Sequence, residues 1–144
     1  MNQPLIRIAV GLGCDRGTPL ATLQQALDEA LALAGARLGD VAAAASIDLK
    51  ADEPGLLALA AQHGWTMAFY TPEQLAAVPV PNPSETVRKY TGSPSVSEAA
   101  ALLAGSAAGQ VLPATALLLE KYKYRGADGR NATVSLACCH SFPL

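Results

Sequence analysis

This sequence lacks several features that would place it quickly. No apolar run approaches the roughly 20 residues needed to span a bilayer, so no transmembrane helix is expected. Met1-Asn2-Gln3-Pro4 has no basic segment leading into an apolar stretch, and no secretory signal is expected either. Basic residues do not exceed acidic ones: ten against twelve, a net charge of −2, which argues against a nucleic-acid binder driven by bulk electrostatics. Cysteine is scarce, with three residues and two of them adjacent (Cys138, Cys139). That usage suits a reducing cytoplasm better than a disulfide framework. Aromatics make up 5% of the chain and hydrophobic residues 51%, so the core must be built from Ala, Leu and Val. At 144 residues one domain is expected over residues 1–144, burying about two-thirds of its unfolded surface.

Punctuation is plentiful. Ile6-Arg7-Ile8-Ala9-Val10 reads as a buried strand, broken by three glycines in seven positions (Gly11, Gly13, Gly17). Thr18-Pro19 then reads as an N-cap and first turn. Strand, glycine loop and helix start form a geometry in which backbone N–H groups can hold an anion, and Arg16 adds a full charge. A tight strand-to-helix turn built on glycine for backbone reasons alone fits equally. The spacing matches neither common nucleotide-binding fingerprint. Cys14, near the helix start, is a candidate for a lowered thiol pKa.

Leu20, Leu23, Leu27, Leu31 and Ala34 recur at helical spacing, with Gly35 as the stop. A second strand is expected over about Ala44–Leu49. It runs into Asp48-Leu49-Lys50-Ala51-Asp52-Glu53-Pro54-Gly55, three carboxylates and a lysine between a strand and a helix. Asp52 or Glu53 is expected to cap the helix that Pro54 begins. The apolar segment to His63 reads as a helix covered on more than one side, ended by Gly64. Trp65–Tyr70 reads as a third strand and His63 as a structural residue. Thr71-Pro72-Glu73-Gln74 has the form of a capping box, as do Asn82-Pro83-Ser84-Glu85 and Ser95-Val96-Ser97-Glu98. Pro79, Pro81 and Pro83 stiffen the connection between them, Gly92 closes one helix, and Gly105 and Gly109 bracket a loop.

From Ala114 to Tyr124 an apolar strand becomes alternating Lys and Tyr, placing Lys121 and Lys123 on one face and Tyr122 and Tyr124 on the other. With the turn Gly126-Ala127-Asp128-Gly129 and the run Asn131–Cys138 it reads as an antiparallel hairpin. The ladder of Lys121, Lys123 and Arg125 fits a carboxylate- or phosphate-binding surface, or a strand edge protected from aggregation. The tyrosines fit either a stacking face or the core. Together the elements predict an α/β fold: a three-layer α/β/α sandwich with a mixed sheet of at least five strands and a C-terminal antiparallel hairpin. No zinc-type Cys/His spacing and no Ser/His/Asp arrangement stands out, so no metal and no cofactor is expected.

Four strings taken together carry a resemblance: Gly11-Leu12-Gly13-Cys14-Asp15-Arg16-Gly17-Thr18, Ser46-Ile47-Asp48-Leu49-Lys50-Ala51-Asp52-Glu53-Pro54-Gly55, Asn82-Pro83-Ser84, and Gly92-Ser93-Pro94-Ser95-Val96-Ser97-Glu98. In content and order they resemble the cobalamin-biosynthesis family formed by CobE and the C-terminal domain of CbiG, over roughly residues 5 to 138. A chain of this one domain is most similar to the free-standing members, which belong to the aerobic pathway. The resemblance implies a cytoplasmic role in building the corrin ring of vitamin B12. It marks Gly11, Gly13, Cys14, Arg16, Gly17, Asp48, Lys50, Asp52 and Glu53 as motif positions, with Asp15 departing from a commonly basic position. Corrin intermediates carry many carboxylates, so Arg16, Lys50, Lys121 and Lys123, with the backbone and Thr18 of the glycine stretch, are the expected ligand-binding groups. Three readings follow. One is a non-catalytic carrier of an anionic corrin intermediate. Another is a hydrolase opening a ring lactone with loss of a two-carbon fragment, as CbiG is associated with, in which Asp48, Asp52 or Glu53 is the base and Lys50 the electrostatic stabiliser. The third is a module docking on another cobalamin-pathway enzyme such as a methyltransferase. Neither a nucleic acid nor a membrane is an expected partner.

Overall fold

The structure is a computed structural model and describes residues 7–79, 96–105 and 111–139. Its strands are β1 (Ile8–Cys14), β2 (Val41–Ile47), β3 (Met67–Tyr70), β4 (Leu117–Arg125) and β5 (Asn131–Cys138). Its helices are α1 (Leu20–Ala34), α2 (Pro54–His63), α3 (Pro72–Ala76) and α4 (Val96–Ala104). The described strands form one sheet in the order β3-β2-β1-β5-β4. β1, β2 and β3 run parallel, and β5 pairs antiparallel with both β1 and β4. This is the expected mixed α/β sandwich with its C-terminal hairpin.

Alternation along β1 divides the core. Ile8, Val10 and Leu12 point to one face and pack with Leu23, Leu27 and Leu31 of α1, and with Leu56 and Leu59 of α2. Ala9 points to the other face, toward Ala99–Leu102 of α4 and Leu75 of α3. The two faces differ in depth because α4 is alanine-rich and lies close to the sheet. At Gly11 that approach reaches its limit, since a Cβ there would overlap the Ser97 carbonyl oxygen and crowd the Ala101 nitrogen. Ser97 anchors the same crossing by a 2.8 Å hydroxyl–hydroxyl bond to Ser135, which in turn donates to the Glu120 carbonyl.

Several expectations shift at the boundaries. β1 does not end at the glycines but runs through Gly11 and Gly13 to Cys14, because ladders with β2 and β5 on either side offset the weak strand propensity of glycine. β2 begins at Val41 and stops at Ile47, and Asp48–Lys50 forms a 3-10 turn in place of a strand end. β3 begins at Met67, after Trp65, whose ring lies 4.8 Å from that of His63. Residues 114–116 form another 3-10 turn before β4. α2 buries one face only, leaving Leu57 45% exposed.

Gly35 and Gly64 end their helices in the left-handed conformation, and Thr71 and Gln74 form the reciprocal capping box. Pro81, Pro83, Asn82–Glu85, Gly92, Ser95 and Gly109 lie outside the described residues.

The packing at Gly11 gives a direct test. Gly11→Ala should destabilise the fold by about 1–3 kcal/mol, since α4 must move. Gly13→Ala, whose nearest described heavy atom would be Thr133 Cβ at 3.8 Å, should be neutral or slightly stabilising. Urea denaturation of both variants checks this, and equal losses would contradict the packing described.

Candidate functional site

Because β1, β2 and β3 are parallel and β5 antiparallel, one edge of the sheet collects the segments after β1 and β2, the end of β4 and the start of β5. In α/β sheets this carboxyl edge is where loops meet ligands. Cys14 pairs with Ala132, and Arg125 pairs with Asn131, so the hairpin turn stands beside the loop that follows β1.

The glycine stretch shortens here to a loop of residues 15–19, and its anion is already present. Glu53, 2% exposed, accepts the Gly17 backbone N–H at 2.8 Å through Oε1 and Arg16 Nη1 at 3.1 Å through Oε2. Arg16 also donates to Asp52 at 2.7 Å and to the Leu49 carbonyl at 2.5 Å. The cradle anticipated for a ligand's anion thus holds a carboxylate of the chain itself. Gly17, at φ +78°, is the position whose backbone favours glycine.

Helix starts differ from expectation in the same way. Thr18 is not the cap of α1: Pro19 holds that position, and the buried Thr18 hydroxyl donates instead to the Asp15 carbonyl at 2.7 Å. Glu53 stands at the cap position of α2, but its side chain makes no cap bond, being turned toward Arg16 and Gly17. Gly55 admits the Thr18 carbonyl close to α2. A cleft of about 310 Å³ opens between the two helix starts, lined by Thr18, Pro19, Leu20, Pro54, Gly55 and Ala58 among others.

Arg130, which the sequence reading passed over, and Asp15, which it noted only as a departure from a basic position, complete the loop's support. Arg130 donates through Nε to the Arg16 carbonyl at 3.0 Å and pairs with Asp128 at 3.1 Å. Asp15 accepts both the backbone N–H and the side-chain amide of Asn131, at 2.8 and 3.1 Å. Asp15 therefore bonds within the fold, where a basic residue would present charge outward. The Asp15–Arg16 and Asp128-Gly129-Arg130-Asn131 segments were each readable as turns, but no local pattern links residues more than a hundred positions apart.

The two lysines of β4 separate in role. Lys121, 24% exposed, lies 3.7 Å from the fully buried Glu98 of α4. Lys123 is exposed and makes no ion pair among the described residues. Half-buried Lys50 and exposed Arg125, whose guanidinium lies over Gly129, likewise make no ion pair among the described residues. Tyr122 and Tyr124 pack against the α1 side of the core, and the Tyr122 hydroxyl bonds Glu29 of α1. Their placement answers the alternative left by the sequence in favour of the core. Asp48 is exposed beside Lys50 on the 3-10 turn. Gly11 lies beneath α4, away from the open edge, whereas Gly13 is half-buried one row nearer to it.

Charge and burial set the local chemistry. Hydrogen bonding from Arg16, and then its charge, hold the Asp52 carboxyl below its ordinary range. Burial drives the Cys14 thiol up to about 11, against a smaller lowering by Lys50, which reverses the expectation of an activated thiol. Among the described residues no three His, Cys, Asp or Glu side chains come together to hold a metal ion, and no described helix is long and apolar enough to cross a membrane.

The profile of one protein family, Cobalamin synthesis G C-terminus, matches residues 8–137. The chain belongs to that family. A cobalt-precorrin-5A hydrolase from Priestia megaterium is 42% identical over 96 residues, covering 67% of this chain and 26% of that protein. Protein CobE from a Sinorhizobium species is 42% identical over 98 residues, covering 67% of this chain and 64% of its own length. The chain thus spans about a quarter of the hydrolase and somewhat under two-thirds of the second relative. The crystal structure of a CobE, a protein from the cobalamin (vitamin B12) biosynthetic pathway, superposes with a TM-score of 0.76 at 34% identity, covering 99% of this chain and 98% of that one. The Cobalamin synthesis G C-terminus assignment agrees with the resemblance carried by the four sequence strings.

Two expectations follow. Glu53→Gln should lower stability by about 1–3 kcal/mol, because it faces an amide toward Arg16 and weakens the bond to Gly17. Asp52→Asn, at a carboxylate 79% exposed, should lower the urea midpoint at neutral pH far less than Glu53→Gln does. Because the Asp52 pKa is lowered on folding, its contribution is present above the ordinary carboxyl value of 3.8 and is lost only as pH falls through the lowered folded value. Equal effects of the two substitutions would contradict the assigned roles. Separately, Cys14 should alkylate with iodoacetamide at pH 8 far more slowly than glutathione, about a hundredfold if thiolate fraction alone decides. Peptide mass mapping over time reads this, and labelling as fast as glutathione would refute the desolvated thiol.

Proposed function

We propose that this cobalamin-biosynthesis protein binds a polycarboxylate corrin intermediate at the carboxyl edge of its sheet, as a carrier. The observation that carries this reading is the sorting of cations along that edge. Arg16, Lys121 and Arg130 are each matched by a carboxylate, whereas Lys50, Lys123 and Arg125 have none among the described residues. Lys123 and Arg125 lie on β4 and Lys50 follows β2, so the three are spread across the sheet by about three strand spacings, about 14 Å. Separated cations at one rim suit a flat ligand with acidic side chains around its periphery better than a compact anion. Three free thiols and the kinship to pathway proteins support a cytoplasmic location.

The hydrolase relative favours a second reading, lactone opening, with one change to the expected residues. Asp52 and Glu53 are engaged by Arg16, leaving Asp48 beside Lys50 as the carboxylate open to a water molecule.

Anaerobic absorbance titration with a metal-free contracted corrin bearing free carboxylates, and with uroporphyrin as a stable octacarboxylate, tests the first reading. The wild type should bind with unchanged ligand mass. Lys50→Gln, Lys123→Gln and Arg125→Gln should each weaken binding about tenfold, and added salt should weaken it in the wild type. Unaltered affinity in the triple variant would refute the rim. A mass loss that disappears in Asp48→Asn while binding persists would establish the hydrolase instead. Absence of binding to either probe would leave the docking module.

A further inference from the structure

Among the described residues nothing requires a glycine at position 13. Gly17, Gly35, Gly64 and Gly129 have positive φ, and Gly11, Gly55, Gly105 and Gly126 admit a neighbour where a Cβ would collide. Gly13 has neither reason. It sits in extended strand, directly paired with Thr133, whose Cβ at 3.8 Å would be the nearest described heavy atom to an added Cβ. Gly39 shares that freedom, but it lies in an exposed turn. A glycine inside a strand forgoes packing and costs backbone entropy, and such positions commonly mark a close approach of another molecule to the backbone.

What surrounds Gly13 forms a surface. Alternation places it on the α4 side of β1, two residues beyond Gly11, over which Ser97 crosses. Thr133 pairs with Gly13 on one side and with Lys123 on the other, so Gly13, Thr133 and Lys123 make one row across β1, β5 and β4 on the same face. Gly13 and Thr133 are half-buried and Lys123 is exposed. The row spans two strand spacings, about 10 Å. It presents backbone that no described side chain covers, then a methyl and hydroxyl, then an ammonium that no carboxylate among the described residues neutralises.

We propose that this row is the shelf on which one face of the tetrapyrrole rests, with Gly13 allowing the ring to lie against the backbone and Lys123 holding a peripheral carboxylate. The proposal rests on the reading that the protein binds an acidic tetrapyrrole, and it adds the side of the sheet on which the ring lies. Lys50 and Arg125 extend the rim from there, and the cleft between α1 and α2 on the opposite face is not the ring's site.

Gly13→Val and Thr133→Leu each raise the shelf from a different strand, with Gly39→Val as a surface control. Each is titrated with uroporphyrin and with the metal-free corrin, and its thermal midpoint recorded. Affinity should fall at least about tenfold in both shelf variants at a near-native midpoint, and remain unchanged in the control. Should Gly13→Val fail to fold, Thr133→Leu decides alone. Wild-type affinity in a folded shelf variant overturns the shelf while leaving the binding reading intact. A wild-type protein that binds neither probe overturns the binding reading, and the shelf with it.

Discussion

The carboxylate of Glu53 is the fixed point of the sheet's functional edge. It lies 36 residues from Gly17 in sequence, yet it accepts the Gly17 N–H and the Arg16 guanidinium together. A buried carboxylate without donors would be costly, and here the donors are the loop that follows β1. The loop gains a fixed shape, and the segment after β2 is tied to it through Arg16 at Asp52 and the Leu49 carbonyl. Arg130 and Asn131 extend the same tie to the hairpin, so three chain segments share one hydrogen-bonded frame. The starts of α1 and α2 follow from it, each free of a side-chain cap because the side chain at hand is committed elsewhere.

That frame decides which charges face outward. An arginine drawn into the edge by two carboxylates is poorly placed to grip a ligand, and a lysine beside the buried Glu98 is tied in the same way. Lys50, Lys123 and Arg125 stand apart from both groups. The rim's outward charge is therefore set by what the interior leaves over, in a chain whose net charge is −2. Gly11 and Gly13, two positions apart, serve opposite ends: one lets α4 reach the sheet, the other leaves backbone that no described residue beyond α4 covers.

Much of this architecture was legible in the sequence because it rests on local signals. Gly35, Gly64 and the Thr71–Gln74 capping box stop and start helices through their own backbone chemistry, and the Gly126–Gly129 turn fixes the hairpin. Alternation correctly set Tyr122 and Tyr124 apart from the lysines, but could not say which side faces the core. The errors arise where distant residues override local preference. β1 crosses its glycines because strands from residues 41–47 and 131–138 flank it, and Lys121 is absorbed by a glutamate on another element. Cys14 was expected to be activated by a helix start, yet burial against the α1-side core dominates its environment. Arg125 was legible as part of the cationic strand end, whereas Arg130 passed unnoticed because nothing nearby in sequence shows that Asp128 neutralises one and leaves the other.

The most direct test of this account is a ¹⁵N–¹H titration of the labelled protein with the metal-free corrin. If Glu53 fills the loop's anion position and the ligand lies on the far side of the rim, the amides of Gly13, Thr133 and Lys123 should shift strongly while Gly17 stays in place. A large shift of the Gly17 amide with Gly13 unmoved would mean that the ligand displaces Glu53 from the loop, and would contradict the central claim.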